Sequence, residues 1–189
     1  MIAVYIGRFQ PKTITHRIIV QFIDKQPDIK EIIIIKGSSQ WNDKNPDQNS
    51  IPFRNPFTAE ECCDMIDLSL TCRITKPWRI IKIPDTATKM TDPLWKEWVD
   101  SIVSALGSPQ EFVVFTNDSR EIKAFKRVGL ETRPYVVNCT LPHATLVREK
   151  IAQGREEEWR QMVDPEVAEY IKKINGPERI QKLLEKEVK

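Results

Sequence analysis

Short, wholly apolar runs alternate with stretches whose apolar residues recur at helical spacing, and this alternation predicts the architecture. Met1 to Ile6 reads as a buried strand, and Arg17 to Ile23 carries apolar positions three and four apart. Glu31 to Lys36 (EIIIIK) is a second apolar strand, followed by a polar loop from Trp41 to Pro56 rich in Asn, Asp and Pro. Thr58-Ala59-Glu60-Glu61 has the form of a helix capping box and predicts a helix running to about Leu70. Arg79 to Ile83 is a third strand, stopped by Pro84-Asp85. Leu94 to Leu106 is a helix with Gly107 as its natural end. Glu111 to Phe115 is a fourth strand, Ile122 to Val128 a helix, and Arg133 to Val137 a short fifth strand. Beyond Thr145 the pattern is helical, interrupted near Gly154, at Asp164-Pro165 and at Gly176-Pro177; we expect three terminal helices without strand partners.

Apolar strand cores alternating with helices specify an α/β fold, a doubly wound parallel five-stranded sheet covered on both faces, with a C-terminal helical extension. The expected boundary leaves residues 1–142 as the α/β core and 143–189 as the extension. Ligands of such sheets bind beyond the carboxyl ends of the strands, where the strand order reverses. That rule gathers residues 7–16, 37–57, 84–93 and 116–119 into one cleft.

Composition narrows the picture only a little. At 189 residues, 40% hydrophobic and 30% charged, the chain is long enough for one domain with a sizeable core. A formal net charge of +2 gives no support to nucleic-acid binding. No apolar run is long enough to span a bilayer, and the N-terminus reads as a strand, so a cytoplasmic protein is expected. Adjacent Cys62 and Cys63, with Cys72 and Cys139, have no zinc-site spacing and read as reduced cysteines.

The chemistry is concentrated in Gly7-Arg8-Phe9-Gln10-Pro11 and His16, between the first strand and the first helix. A glycine turn carrying an arginine, with a histidine opening the next helix, suits phosphate binding. Backbone N–H groups, the positive helix end and a titratable donor would face one small volume. No P-loop is present and no GxGxxG follows a strand. No nucleophile elbow appears either, which disfavours acyl transfer.

The segment GRFQPKTITH resembles the GRFQPFHxGH signature of nucleotidyltransferases that use an HxGH motif. Asn55 to Glu61 resembles the NPFTxxER segment of the archaeal-type nicotinamide-nucleotide adenylyltransferases. Pro142 to Arg148 is similar to their ISxTxxR segment, and residues 152–179 to their C-terminus. Together the four segments span nearly the whole chain. The resemblance implies a Rossmann-like nucleotidyltransferase fold and the reaction of ATP with nicotinamide mononucleotide (NMN) to give NAD and pyrophosphate, with Mg2+. It further implies that the extension completes the phosphate site, and a tendency toward homo-oligomers.

The resemblance also implies roles. His16, Arg8 and Arg148 would be the catalytic groups, Arg148 gripping the leaving phosphates with its planar fork. Gly7, Phe9, Gln10, Thr13, Asn117, Asp118, His143 and Thr145 would contact ATP. Gly37, Ser38, Asn55, Phe57 and Trp98 would border NMN, Trp98 stacking on the cationic ring while Trp95 packs in the core. No carboxylate cluster identifies metal ligands.

Two motif positions depart from the family pattern: Thr13 stands for its first histidine and Thr15 for its glycine. Threonine donates a hydrogen bond but carries no charge, and a side chain at 15 would crowd a close approach. His143, at the serine position of ISxTxxR, is a candidate replacement for the lost charge. Two other readings remain open: a transferase with another phosphate acceptor, discriminated by assaying alternative acceptors, and a nucleotide-binding module that has lost catalysis, which binds ATP without forming NAD.

Overall fold

The computed structural model describes residues 1–37, 52–83, 92–107, 111–137 and 141–187. In chain order the elements are β1 (Ile2–Gly7), α1 (Ile14–Asp24), β2 (Glu31–Lys36), α2 (Ala59–Leu70), β3 (Trp78–Lys82), α3 (Asp92–Leu106), β4 (Phe112–Phe115), α4 (Ser119–Arg127) and β5 (Glu131–Arg133). The helices α5 (Ala144–Ala152), α6 (Glu156–Arg160), α7 (Pro165–Lys173) and α8 (Gly176–Glu187) follow. The five strands are all parallel in the order β3-β2-β1-β4-β5.

Strand residues sort strictly by parity between the two faces, as the period of two requires. Ala3, Tyr5, Ile32, Ile34, Val113 and Phe115 face α1 and α2, where they meet Ile19, Val20, Ile23, Ile66 and Leu70. Val4, Ile33, Ile35, Phe112 and Val114 face the opposite way, onto Trp98, Val99 and Ile102 of α3 and Phe125 of α4. Burial on both faces is why these strands read as continuous apolar runs rather than alternating ones.

The order reverses at β1, which pairs with β2 on one side and β4 on the other. The turn after β1 therefore lies at the switch point. The predicted capping box is present: Thr58 Oγ1 accepts from the Glu61 N–H (3.0 Å), and the Glu61 carboxylate accepts from the Thr58 N–H (2.9 Å).

Two expectations change. The terminal region holds four helices rather than three, because α6 forms a separate short turn between Gly154 and Asp164. The fifth strand ends at Arg133 instead of beginning there: Pro134 has no N–H to extend the ladder. A third core cluster joins the extension to α2, with Val147, Ile151, Trp159, Val163, Val167, Ile171 and Ile180 closing around Phe57, Cys62 and Met65. The helices of the extension thus share a core with α2 and the segment preceding it.

Among the described residues no helix is long and apolar enough to cross a membrane. Cys62, Cys63 and Cys72 are free thiols; Cys139 lies outside the described residues.

Candidate active site

Beyond the carboxyl end of β1 lies a cleft of about 180 Å3 lined by Arg8, Phe9, Gln10, His16, Arg54, Ala144, Thr145 and Arg148. Among the described residues three guanidinium groups and one imidazole line it, and no carboxylate does. Arg148 is 6% exposed; its Nη1 donates to the Gln10 carbonyl (2.5 Å) and its Nη2 to Thr145 Oγ1 (3.2 Å). Its Nε is buried without a partner among the described residues. Burial, together with the charges of Arg8 and Arg54, lowers the Arg148 pKa to about 10. A cation that has lost water and faces like charges is set up to receive an anion. A larger groove of about 770 Å3 between α2 and α7 is lined by Asp64, Asp67 and Glu166 together with Arg73, which is paired to Glu166 (2.9 Å); its net charge is negative, which suits a triphosphate less well than the smaller cleft does.

The turn is held by apolar packing and by one side-chain amide. Phe9 takes a left-handed backbone (φ 52°) and buries its ring between Tyr5 (centroids 5.8 Å apart) and His16 (4.9 Å). Glycine suits position 7 beside that ring, since a Cβ there would sit 3.0 Å from Phe9 Cζ, a tight contact. Gln10, expected at the phosphates, instead donates from Nε2 to the Phe57 carbonyl (2.9 Å) and accepts from the Phe57 N–H (3.0 Å). That pairing locks the turn to the segment opening α2.

Thr13 also changes role. It is fully buried and caps α1, its Oγ1 facing the His16 N–H at 3.5 Å. In return His16 Nδ1 accepts from the Thr13 N–H (2.9 Å). With Nδ1 an acceptor, the neutral ring carries its proton on Nε2. Burial first, and the charge of Lys12 second, lower the His16 pKa to about 3. The ring is therefore a neutral donor at physiological pH.

Thr15, expected to crowd the ligand, turns away and donates to the Pro142 carbonyl (2.5 Å). The Ile14 N–H donates to the Met162 carbonyl (3.1 Å), so part of the α1 start is used within the protein. The start of α5, at Ala144 and Thr145, lines the cleft instead.

Several other expected contact residues are not among those lining this cleft. His143 is exposed and caps α5, Nδ1 accepting from the Leu146 N–H (3.3 Å), and it is not among the cleft residues. Trp98 is 5% exposed and packs on Phe125 (centroids 5.8 Å) in the core. Phe57 and Asn55 are fully buried, the Phe57 ring in the core shared by α2 and the extension. Asn117 exchanges hydrogen bonds with the Tyr135 backbone (2.9 and 3.2 Å), and Asp118 caps α4 and pairs with Arg120. Gly37 donates to the Gly7 carbonyl at the β1–β2 edge (2.9 Å). Ser38 and the Trp95 side chain lie outside the described residues.

Arg54 is a cleft residue that sequence reasoning passed over; it sits directly before the NPFT segment, and its position there was the available signal. Lys12 was passed over as well: it stands where the signature has phenylalanine, and it is fully buried.

Known proteins share both the sequence and the shape. The chain is 33% identical over 182 residues to the nicotinamide-nucleotide adenylyltransferase of Thermococcus onnurineus, covering 95% of this chain and 86% of that protein. It is 34% identical over 188 residues to the enzyme of the same name from Archaeoglobus fulgidus, covering 95% of each. The chain belongs to the nicotinamide-nucleotide adenylyltransferase family. It is thus a nucleotidyltransferase of Rossmann-like fold. No family model matches it.

Among solved structures, a bifunctional NMN adenylyltransferase/ADP-ribose pyrophosphatase from Francisella tularensis, complexed with AMP and a manganese ion, superposes with a TM-score of 0.66 at 22% identity. The match covers 96% of this chain and 51% of that one, so the chain spans about half its length. The nicotinic acid mononucleotide adenylyltransferase of Plasmodium falciparum superposes at 0.58 with 12% identity. Both likenesses bear on the fold.

Proposed function

We propose that the cleft between the β1 turn and the start of α5 is where the triphosphate of ATP is held while its adenylyl group passes to NMN, giving NAD and pyrophosphate. The observation that carries this reading is the set of Arg8, Arg54, Arg148 and neutral His16 around one small cleft, with no lining carboxylate among the described residues. Neither Arg8 nor Arg54 forms an ion pair among the described residues.

In the reaction a phosphate oxygen of NMN attacks the α-phosphorus of ATP, forming the new P–O bond as the bond to the β-phosphate oxygen breaks. Phosphoryl-type transfer asks the protein for position and charge rather than for a nucleophile. Arg148 grips the leaving pyrophosphate with its planar fork, already oriented by Gln10 and Thr145. Arg8 draws the charged reactants in from the exposed side. His16 donates from Nε2 to a phosphate oxygen that gains charge, without needing a proton from solution. The nucleoside of ATP lies toward the carboxyl end of β4, by Asn117 and Asp118, with NMN on the Gly37 side.

Among the described residues the cleft offers no carboxylate and there is no cluster of three His, Cys, Asp or Glu, so these residues do not fit a protein-held magnesium ion. Mg2+ enters as part of the ATP complex. The test is direct: the purified chain with MgATP and NMN forms NAD and pyrophosphate in equal amounts. ATP binding without NAD formation would instead favour the module that has lost catalysis.

A further inference from the structure

Beneath the phosphate turn lies a charged network that the reaction scheme does not use. Lys12 is 0% exposed, and its Nζ donates to Ser69 Oγ of α2 (2.8 Å) and, more weakly, to the Thr13 carbonyl (3.4 Å). The Ser69 hydroxyl in turn donates a hydrogen bond to Asp164 Oδ2 (2.5 Å). Asp164, just before α7 and 3% exposed, accepts from Arg17 Nε on its other oxygen (2.7 Å). Arg73 and Glu166 pair beside this group (2.9 Å).

The charges do not cancel. Lys12, Arg17 and Arg73 stand against Asp164 and Glu166, leaving one positive charge in excess. Arg17 meets Asp164 directly, whereas Lys12 reaches it only through the Ser69 hydroxyl. The excess therefore resides chiefly at Lys12, one residue from the Thr13 cap that orients His16. Its field reaches the cleft: after burial, Lys12 is what depresses the His16 pKa. An uncompensated buried ammonium is an expensive thing to keep in a fold, because low dielectric disfavours the charge. Here burial, with Arg17 and Arg73, outweighs Asp164 and lowers the Lys12 pKa to about 7.

We propose that Lys12 is an electrostatic positioning residue of the phosphate site, its buried ammonium bringing positive charge under the turn that carries Arg8 and His16 and strengthening their hold on nucleotide phosphates. The charge lies one position before the threonine that replaced the signature's first histidine. Lys12 does not touch the ligand; it acts through the turn and its field. The proposal rests on the reading of the cleft as the triphosphate site. Proton uptake accompanies binding, because an anion overhead favours the charged form of the lysine. The groups facing Lys12 are His16 and Arg17 of α1, Arg73 after α2, and Asp164 and Glu166 at α7. Of these, His16 titrates well below the range used in the test.

MgATP affinity of the whole chain, measured by calorimetry at pH 6.5 and 8.5, tests this with Lys12→Met and Lys12→Arg. One pKa unit of coupling corresponds to about a tenfold change in affinity. The wild type binds several-fold more tightly at pH 6.5. Lys12→Met weakens binding about tenfold at pH 6.5 and loses the pH difference, whereas Lys12→Arg keeps tight binding at both pH values. Wild-type behaviour of Lys12→Met, in affinity and pH dependence, overturns the proposal. Should neither variant fold, the Lys12 titration followed by NMR in the wild type decides: MgATP raises its pKa, and an unmoved pKa refutes the idea. NAD formation is scored separately. Absence of NAD with these binding results removes the adenylyl-transfer reading alone, and NAD formation with Lys12-independent binding removes the Lys12 proposal alone.

Discussion

Replacing Gln10 with leucine separates two roles that its place in the motif confounds. In the structure the Gln10 amide is 1% exposed and satisfies both the N–H and the C=O of fully buried Phe57, at 3.0 and 2.9 Å. Leucine fills similar space and offers neither donor nor acceptor, so two buried backbone groups lose their partners. Each such loss costs about 1–3 kcal/mol, which puts the destabilisation at about 2–6 kcal/mol. For a domain with about 5–15 kcal/mol of total stability that is a large fraction. Urea denaturation followed by tryptophan fluorescence, at unchanged slope, reads it as a lower midpoint. The ATP KM of the folded fraction stays within about threefold of wild type, because Arg148 is held by the backbone carbonyl of residue 10 rather than by its side chain. An unchanged midpoint with a sharply raised ATP KM would refute the reasoning and return the Gln10 amide to the phosphates.

His16→Ala removes one preorganised donor and lowers kcat by about a hundredfold, roughly 3 kcal/mol of transition-state stabilisation, in a steady-state assay of NAD formation; near-normal kcat would remove His16 from the mechanism. His143→Ala loses the α5 cap, lowering the urea midpoint by the equivalent of about 1 kcal/mol with kcat unchanged; a fall in kcat would restore the charge-replacement role. Lys12 also makes stability depend on pH. Its folded pKa is depressed from 10.5 to about 7, so the unfolded chain holds a proton that the native state gives up between those values. The contribution is present above the unfolded pKa and lost as pH falls toward 7. Wild type therefore gains stability relative to Lys12→Met as pH rises from 7 to 10, and parallel melting-temperature profiles would contradict this.

The sheet was legible because its strands are apolar on both faces, and a run such as Ile32–Ile35 has no other stable home than between two layers of helices. The capping box at Thr58 and Glu61 was equally readable, since its bonds span three residues. Arg8, His16 and Arg148 were found by motif, and the structure brings all three to one cleft although Arg148 lies far along the chain. What misled was residue type without direction. Gln10, Thr13 and His143 are polar and flank the site, yet their side chains satisfy backbone groups of Phe57, His16 and Leu146. Trp98 is aromatic near the cleft region, yet its face of α3 points into the core.

By itself, then, the sequence determined the element order, the two-faced sheet and the residues able to bind phosphate, because these follow from periodicity and from contacts a few residues apart. Tertiary structure alone decided which polar side chains remain free for a ligand, that Arg54 joins Arg8 and Arg148, and that Lys12 is buried over Ser69 and Asp164. Those outcomes depend on pairings across tens of residues, where burial fixes the value of a charge and only the packed fold says what is buried.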